Sequence, residues 1–315
     1  MPNGSFEEYY WCPSNTEGYY IDACRYWTSP NTGTPDYFNE CSTDYDNLLQ
    51  RFMFSVPENY IGYQYARTGK AYAGLVQTQT YSPNFTPLEQ TFSEYIQVKL
   101  TETLDQGKIY ELKFFVSNVT NNPCGNSIGA YFSSEEVNQD NYHNLTVDNQ
   151  FQSDLSVFIC DSSNWHELSY KFIADGTENY LIIGVFTLLP ETQMIDSNGE
   201  VISGVDLGDY GANQYYYIDD VSLVEIDFSL PNVFSPNGDG LNDRLILFGI
   251  PTGFSFTIVN RWGNVIFETI FPNDEFWDGH FNGKSCQEGV YFYIIRNTES
   301  NSDENLKTGF IHLIK

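Results

Sequence analysis

The sequence predicts an all-β chain built as two successive β-sandwiches, and three observations carry that prediction. Aromatics make up 17% of residues, led by 24 Tyr and 24 Phe, and such rings favour a pleated, half-buried surface. The 24 Gly and 13 Pro punctuate the chain with turn-forming residues at short intervals. Apolar and polar residues alternate with the period of two that a strand requires.

The first sandwich spans residues 1–226. Ile96, Val98 and Leu100 alternate with Gln97 and Lys99. Tyr110, Leu112, Phe114 and Val116 alternate with Glu111, Lys113 and Ser117, and Leu168, Tyr170 and Phe172 with Ser169 and Lys171. Each run offers one apolar face and one wetter face, as antiparallel sheets packed on one side do. The turn clusters Asp105-Gln-Gly107, Asn121-Asn-Pro-Cys-Gly125 and Asp175-Gly176 separate the runs. Leu181-Ile-Ile-Gly-Val-Phe186 has the length of a buried strand. One short helical turn is expected at Ser133-Ser-Glu-Glu136, where serine can cap.

The second sandwich spans residues 227–315. Phe254, Phe256 and Ile258 alternate with Ser255 and Thr257, and Asn260-Arg-Trp-Gly-Asn264 then turns into Val265-Ile-Phe267. Trp277-Asp-Gly279 and Asn282-Gly283 are further turn signals, the latter suited to a type I′ hairpin. Gly289-Val-Tyr-Phe-Tyr-Ile-Ile295 and Phe310-Ile-His-Leu-Ile314 read as the last two strands. About seven short strands separated by turns make a small immunoglobulin-like sandwich.

Charge excludes some partners. With 14 Lys+Arg against 42 Asp+Glu, the net charge of −28 repels nucleic-acid phosphates and anionic headgroups. It also leaves many carboxylates for Ca²⁺. No segment approaches the roughly 18 apolar residues of a membrane span. Six cysteines without a C-x-x-C pair, and 4 His, argue against zinc and redox sites. Scattered cysteines in such a chain suit an exported protein with disulfides, whose pairing the sequence leaves open. Five of them precede Leu230, so Cys286 is the expected unpaired thiol. The start Met1-Pro-Asn-Gly-Ser-Phe6 has neither a basic nor an apolar leader region, as in a cytosolic chain or a mature form bearing an added Met, and the cysteines and the tail favour the second.

Several runs of the first part resemble the jelly-roll, carbohydrate-binding-module-like domains of exported bacterial proteins. They are Asn3-Gly-Ser-Phe-Glu7, Trp27, Thr34-Pro-Asp-Tyr-Phe-Asn39, Val56-Pro57, Gly62-Tyr-Gln64, Gly69-Lys-Ala-Tyr-Ala-Gly74 and Tyr215-Tyr-Tyr-Ile-Asp-Asp-Val-Ser-Leu223. The resemblance implies a jelly roll closed by pairing of its first and last strands. It also implies a structural Ca²⁺ near Glu7, Asp219 and Asp220, carboxylates that would repel without a cation. The alternative is that these acids cap strand ends or face water. For a glycan or polysaccharide ligand, Trp11, Tyr19, Tyr20, Trp27 and Tyr37 are the candidate stacking platform, in a polar, loop-rich stretch.

The tail resembles the gliding-motility-associated C-terminal domain, the type B sorting domain of type IX secretion cargo. The matching runs are Pro231-Asn-Val-Phe-Ser-Pro-Asn-Gly-Asp-Gly-Leu-Asn-Asp243, Asn260-Arg-Trp-Gly-Asn264, Trp277-Asp-Gly279, Asn282-Gly-Lys284, Glu288-Gly-Val-Tyr-Phe-Tyr293 and Gly309-Phe-Ile-His-Leu-Ile-Lys315. Within them Pro236, Asn237, Gly238, Asp239, Gly240, Asn242, Asp243, Arg261, Trp262, Gly263, Trp277, Asp278 and Gly279 form the sorting motif. The resemblance implies export through the type IX outer-membrane translocon, then release or attachment to outer-membrane partner proteins. Asn237, Asp239 and Asp243 offer oxygens to a cation, but Asx-turn chemistry explains that loop better.

No G-x-S-x-G, H-E-x-x-H or phosphate-binding loop is present, so a non-catalytic binding protein is expected. A protein-binding adhesin or surface-structure component is the alternative. A hydrolase would need two carboxylates facing one cleft, about 5–10 Å apart.

Overall fold

The computed structural model describes residues 1–79, 91–119, 124–125, 127–147, 150–153, 158–186, 212–226, 230–245, 254–271, 277–298 and 307–315. The turn expected at Asn121-Asn-Pro123 lies outside them. Strands dominate, and the one helical element among the described residues is a 3-10 turn, Ile21–Ala23. The chain divides into two units. The first comprises Met1–Leu104, Leu112–Ser169 and Thr177–Leu223; the second comprises Asp105–Glu111, Tyr170–Gly176 and Val224–Lys315.

The first unit is a jelly-roll sandwich. One sheet runs in the order Trp27–Thr28, Tyr95–Lys99, Tyr180–Val185, Ile128–Ser133, Phe151–Gln152. The other runs His166–Ile173, Ile109–Asn118, Ala212–Glu225, Ala71–Gln79, Asp36–Asn39, with Thr91–Ser93 also paired to Ala71–Gln79; the stretches 170–173, 109–111 and 224–225 of its strands fall in the second unit. In this sheet Tyr215 stands opposite Val76, Tyr217 opposite Gly74, and Asp36 opposite Gly74 on the far side. That register positions the site described below.

A tyrosine-rich core is stable only where its hydroxyls find partners. Tyr72 and Tyr217 both bond to buried Asn59, at 2.9 Å each, and the Tyr95 hydroxyl donates to the Val185 carbonyl at 2.6 Å. Two disulfides, Cys12–Cys41 and Cys124–Cys160, tie loops of this unit. Cys24 is unpaired and buried, and Cys286 is unpaired as expected.

Some local expectations fail for identifiable reasons. Strand Tyr95–Lys99 is buried on both faces up to Lys99, because Gln97 points inward and exchanges hydrogen bonds with the Val137 backbone. Ser133 does not cap a helix: it ends strand Ile128–Ser133 and bonds the Glu135 backbone instead. The N-terminal run forms no strand. Asn3 and Phe6 take positive φ, and the run touches the last strand through the Val221 N–H to Gly4 carbonyl bond at 2.7 Å.

The second unit is immunoglobulin-like. Its sheet runs Val233–Phe234, Lys307–Leu313, Gly289–Asn297, Phe254–Val259, Val265–Ile270, beside the hairpin His280–Phe281 with Lys284–Ser285. Phe254, Phe256 and Ile258 point inward onto Tyr291, Tyr293, Ile311 and Trp277. Asn282 and Gly283 take φ of 51° and 72°, the left-handed pair that a type I′ turn demands.

Candidate functional site

Within the first unit a cleft of about 350 Å³ is lined by Tyr19, Tyr20, Thr34, Asp36, Tyr60, Ile61, Val76, Glu94 and Tyr215. Its floor is acidic. Asp36 and Glu94 are each only 4% exposed. Glu94 is held by three donors: the Thr34 N–H and hydroxyl on Oε1, and the Val76 N–H on Oε2. Asp36 accepts the Tyr60 hydroxyl at 2.7 Å and the Tyr215 hydroxyl, both on Oδ2. Among the described residues Oδ1 accepts no hydrogen bond, which leaves it open on a residue that lines the cleft.

The Tyr215 bond depends on a glycine. Tyr215 must cross strand Ala71–Gln79 to reach Asp36, and it passes over Gly74, where a Cβ would overlap its phenol oxygen. The rim is aromatic. Tyr19 stacks on Phe54 with ring centres 4.2 Å apart and planes 9° apart, and it meets Tyr20 at 4.6 Å. Packing against Phe54 fixes the Tyr19 ring, while Tyr20 stays 38% exposed at the mouth.

Electrostatics follow from burial. Desolvation raises the Asp36 carboxyl above its ordinary range, opposed by the hydrogen bonds from Tyr215 and Tyr60. It raises Glu94 too, with the Asp36 charge second. Tyr20's hydrogen-bonding hydroxyl, and then burial, push Tyr19 up to about 12. One open oxygen beneath tyrosine rings can accept a hydrogen bond from a ligand. It does not make an acid–base pair, because both Glu94 oxygens are already bonded to the protein.

Of the five expected platform rings, Tyr19 and Tyr20 reach the cleft. Trp11 lies elsewhere, its Nε1 donating to the Gly18 carbonyl at 3.1 Å. Trp27 and Tyr37 are corrected to core residues. Trp27 is 1% exposed, packs on Phe6 at 5.0 Å and donates to the Asn3 carbonyl. Tyr37 is fully buried and donates to the Phe6 carbonyl at 2.8 Å. Neither ring has a face left for a ligand. Asp36 and Tyr215 lie within the runs that resemble jelly-roll domains, but nothing in the sequence marks them, Tyr60 or Glu94 as site residues.

The expected calcium ligands are engaged otherwise. Glu7 Oε1 accepts the N–H groups of Lys70 and Ala71 at 2.8 and 3.0 Å. Buried Asp219 accepts the Arg67 and Asp220 N–H groups, one on each oxygen. Asp220 pairs with the Arg67 guanidinium at 2.6 Å and accepts the Thr68 hydroxyl. Five of these six oxygens therefore face protein donors, and Arg67 supplies positive charge. Among the described residues no group of three or more His, Cys, Asp or Glu is arranged to hold a metal. This donor set does not fit a calcium ion as it stands.

In the second unit the loop after Val233–Phe234 is held by its own side chains. Asp243 accepts the Gly238 and Gly240 N–H groups at 2.6 and 2.8 Å, and these bonds hold its carboxyl below the usual range. Asn237 and Asp239 accept the N–H groups of Asp239 and Leu241. Gly238, Gly240 and Asn242 all take positive φ, which fixes the residue types. Pro236 packs on Gly279, next to buried Trp277, whose Nε1 donates to the His280 carbonyl at 3.0 Å. Residues 228–313 match the CHU_C type IX secretion signal domain.

The chain is accordingly a secreted or cell-surface protein, and no helix among the described residues is long and apolar enough to cross a membrane. In the signal domain the motif residues divide by role. Trp277 is core, Asp278 accepts the His280 N–H, and Gly263 closes a turn in which Asn260 accepts the Trp262 and Asn264 N–H groups. Trp262, beside Arg261, is 79% exposed.

Solved structures similar to this chain include the CBM22-1 xylan-binding domain of Xyn10C from Paenibacillus barcinonensis. Identity there is 11%, over 64% of this chain and 87% of that one, with a TM-score of 0.31. TmCBM61 in complex with β-1,4-galactotriose is 11% identical over 72% of this chain and 97% of its own, with a TM-score of 0.29. The K1 cleaved adhesin domain of Lys-gingipain from Porphyromonas gingivalis W83 is 12% identical over 64% and 92%, with a TM-score of 0.27. Among curated proteins, none matches this chain.

Proposed function

We propose that this exported chain is a non-catalytic, glycan-binding protein of the cell surface. Its ligand lies in the cleft rimmed by Tyr19, Tyr20 and Tyr60. The observation that carries the proposal is the open Asp36 Oδ1 at the base of an aromatic-rimmed cleft. A sugar presents a flat apolar ring face and a fringe of hydroxyl donors, so it needs a stacking surface beside an acceptor. The cleft volume of about 350 Å³ falls within the range of small-ligand sites.

An array of neutral, cationic and anionic oligosaccharides, probed with the 315-residue chain, tests this. Binding that Tyr20→Ala removes supports the cleft. Absence of binding to every glycan overturns the proposal and favours the adhesin alternative. For export, the signal domain is read by the type IX translocon as a folded unit. Deleting Asp227 to Lys315 is expected to strand the protein in the periplasm, and normal export of the truncated chain would refute that role.

A further inference from the structure

We propose that the cleft selects a sugar bearing a protonated primary amine, a de-N-acetylated hexosamine unit, over neutral and acidic sugars. This rests on the glycan-binding proposal above and narrows it to a charge class.

The ground is a pair of buried acids without a cationic partner. Asp36 and Glu94 are both buried in one cleft, yet no ion pair among the described residues involves either. Buried carboxylates without a cationic partner are costly, and an arriving cation recovers part of that cost. Burial raises both carboxyls, which favours their protonated, neutral forms in the empty cleft, and an ammonium group arriving at Asp36 favours the ionised form instead.

Glu94 is hydrogen-bonded on both oxygens, so the contact with a ligand does not fall to it. Asp36 offers the contact through Oδ1. A neutral hydroxyl meets that acceptor, whereas an ammonium group also supplies the cationic partner that the cleft lacks among the described residues. Tyr19, Tyr20 and Tyr60 line the same cleft, and aromatic rings attract cations by a further increment. A carboxylated or sulfated sugar is repelled there, and the net charge of −28 strengthens that exclusion.

The test is calorimetric titration of the intact chain with three probes at physiological salt. The probes are a glucosamine hexamer, an N-acetylglucosamine hexamer and a hexuronate. The expected result is binding of the glucosamine hexamer at least about tenfold tighter than its acetylated counterpart. Asp36→Asn, checked for fold by circular dichroism, is expected to abolish that preference.

Equal or tighter binding of the acetylated hexamer overturns the amine inference and leaves the glycan proposal standing. Failure of all three probes, together with an empty array, overturns both. A preference that persists in Asp36→Asn assigns the attraction to the acidic surface at large and also overturns the inference. Should Asp36→Asn fail to fold, Tyr20→Ala at the rim takes its place: loss of glucosamine-hexamer binding is expected, and unchanged affinity there puts the amine outside the cleft and overturns the inference.

Discussion

The Tyr215 phenol reaches across a glycine to donate its hydrogen to Asp36, joining the third and fifth strands of one sheet over Gly74. The bond takes up one carboxylate oxygen and leaves the other open. It makes a small residue in a strand interior a requirement of the site.

Gly74→Ala is therefore expected to damage both fold and function. The added Cβ would overlap the Tyr215 phenol and press on Phe38. Overpacking of this kind costs about 1–3 kcal/mol, measurable as a lower urea midpoint. Glycan affinity is expected to fall at least about tenfold with it, since the Asp36 carboxylate loses a positioning bond. Wild-type stability and affinity in this variant would show that the crossing does not matter.

Rim and core aromatics are expected to separate cleanly. Tyr20→Ala removes a ring at the mouth and is expected to change stability by no more than about 0.5 kcal/mol while weakening binding. Trp27→Ala empties a buried site and is expected to cost roughly 3–5 kcal/mol. Its residual folded fraction should bind normally. Chemical denaturation paired with titration distinguishes the two patterns.

Stability is expected to fall as pH rises. Burial, with the Asp220 charge second, pushes the Asp219 carboxyl up to about 8. A folded-state value above the unfolded one, near 4, means the native state holds its proton more tightly. The resulting stabilisation is full below about pH 4 and is lost as pH climbs through about 8, at no more than about 1.4 kcal/mol per pH unit. Asp36 and Glu94 are raised as well and act with the same sign. Urea midpoints across this window should decline, and Asp219→Asn should flatten the slope. A midpoint that rises with pH would contradict the assignment.

Arg67 is expected to matter more than calcium. Its guanidinium pairs with Asp220 and lies 3.4 Å from the centre of the Phe115 ring. Arg67→Ala is expected to cost about 1–2 kcal/mol, from a partly exposed ion pair and a cation–π contact. Chelation by EGTA is expected to leave the melting temperature unchanged. A fall of several degrees on chelation would mean that a cation organises Glu7, Asp219 and Asp220 after all.

The tail was legible because turns constrain residue type. Asn282-Gly283 needs two positive φ values, and the Asn237–Asp243 loop needs glycines and short acceptors, so the chemistry is written where the backbone turns. The alternation of Phe254, Phe256 and Ile258 likewise set their inward face. The cleft was half legible. Tyr19 and Tyr20 stood out as rings in a polar stretch, but Trp27 and Tyr37 looked the same and proved to be core. What separates them is strand register, which places Asp36 opposite Gly74 and cannot be read from local sequence. Asp36 and Glu94 were hidden for a related reason. Among 42 acids, burial is what distinguishes a site carboxylate from a solvated one, and burial is a tertiary property. Gln97 misled in the opposite direction, as a polar residue satisfied inside the core.

The most direct measurement is the position of a bound glycan. Chemical-shift mapping of the intact chain, saturated with the tightest oligosaccharide from the array, would report it. Perturbations are expected to centre on Tyr19, Tyr20, Tyr60 and Asp36, with Trp11, Trp27 and Tyr37 unmoved. Perturbations centred anywhere else, or none at saturation, would contradict that placement.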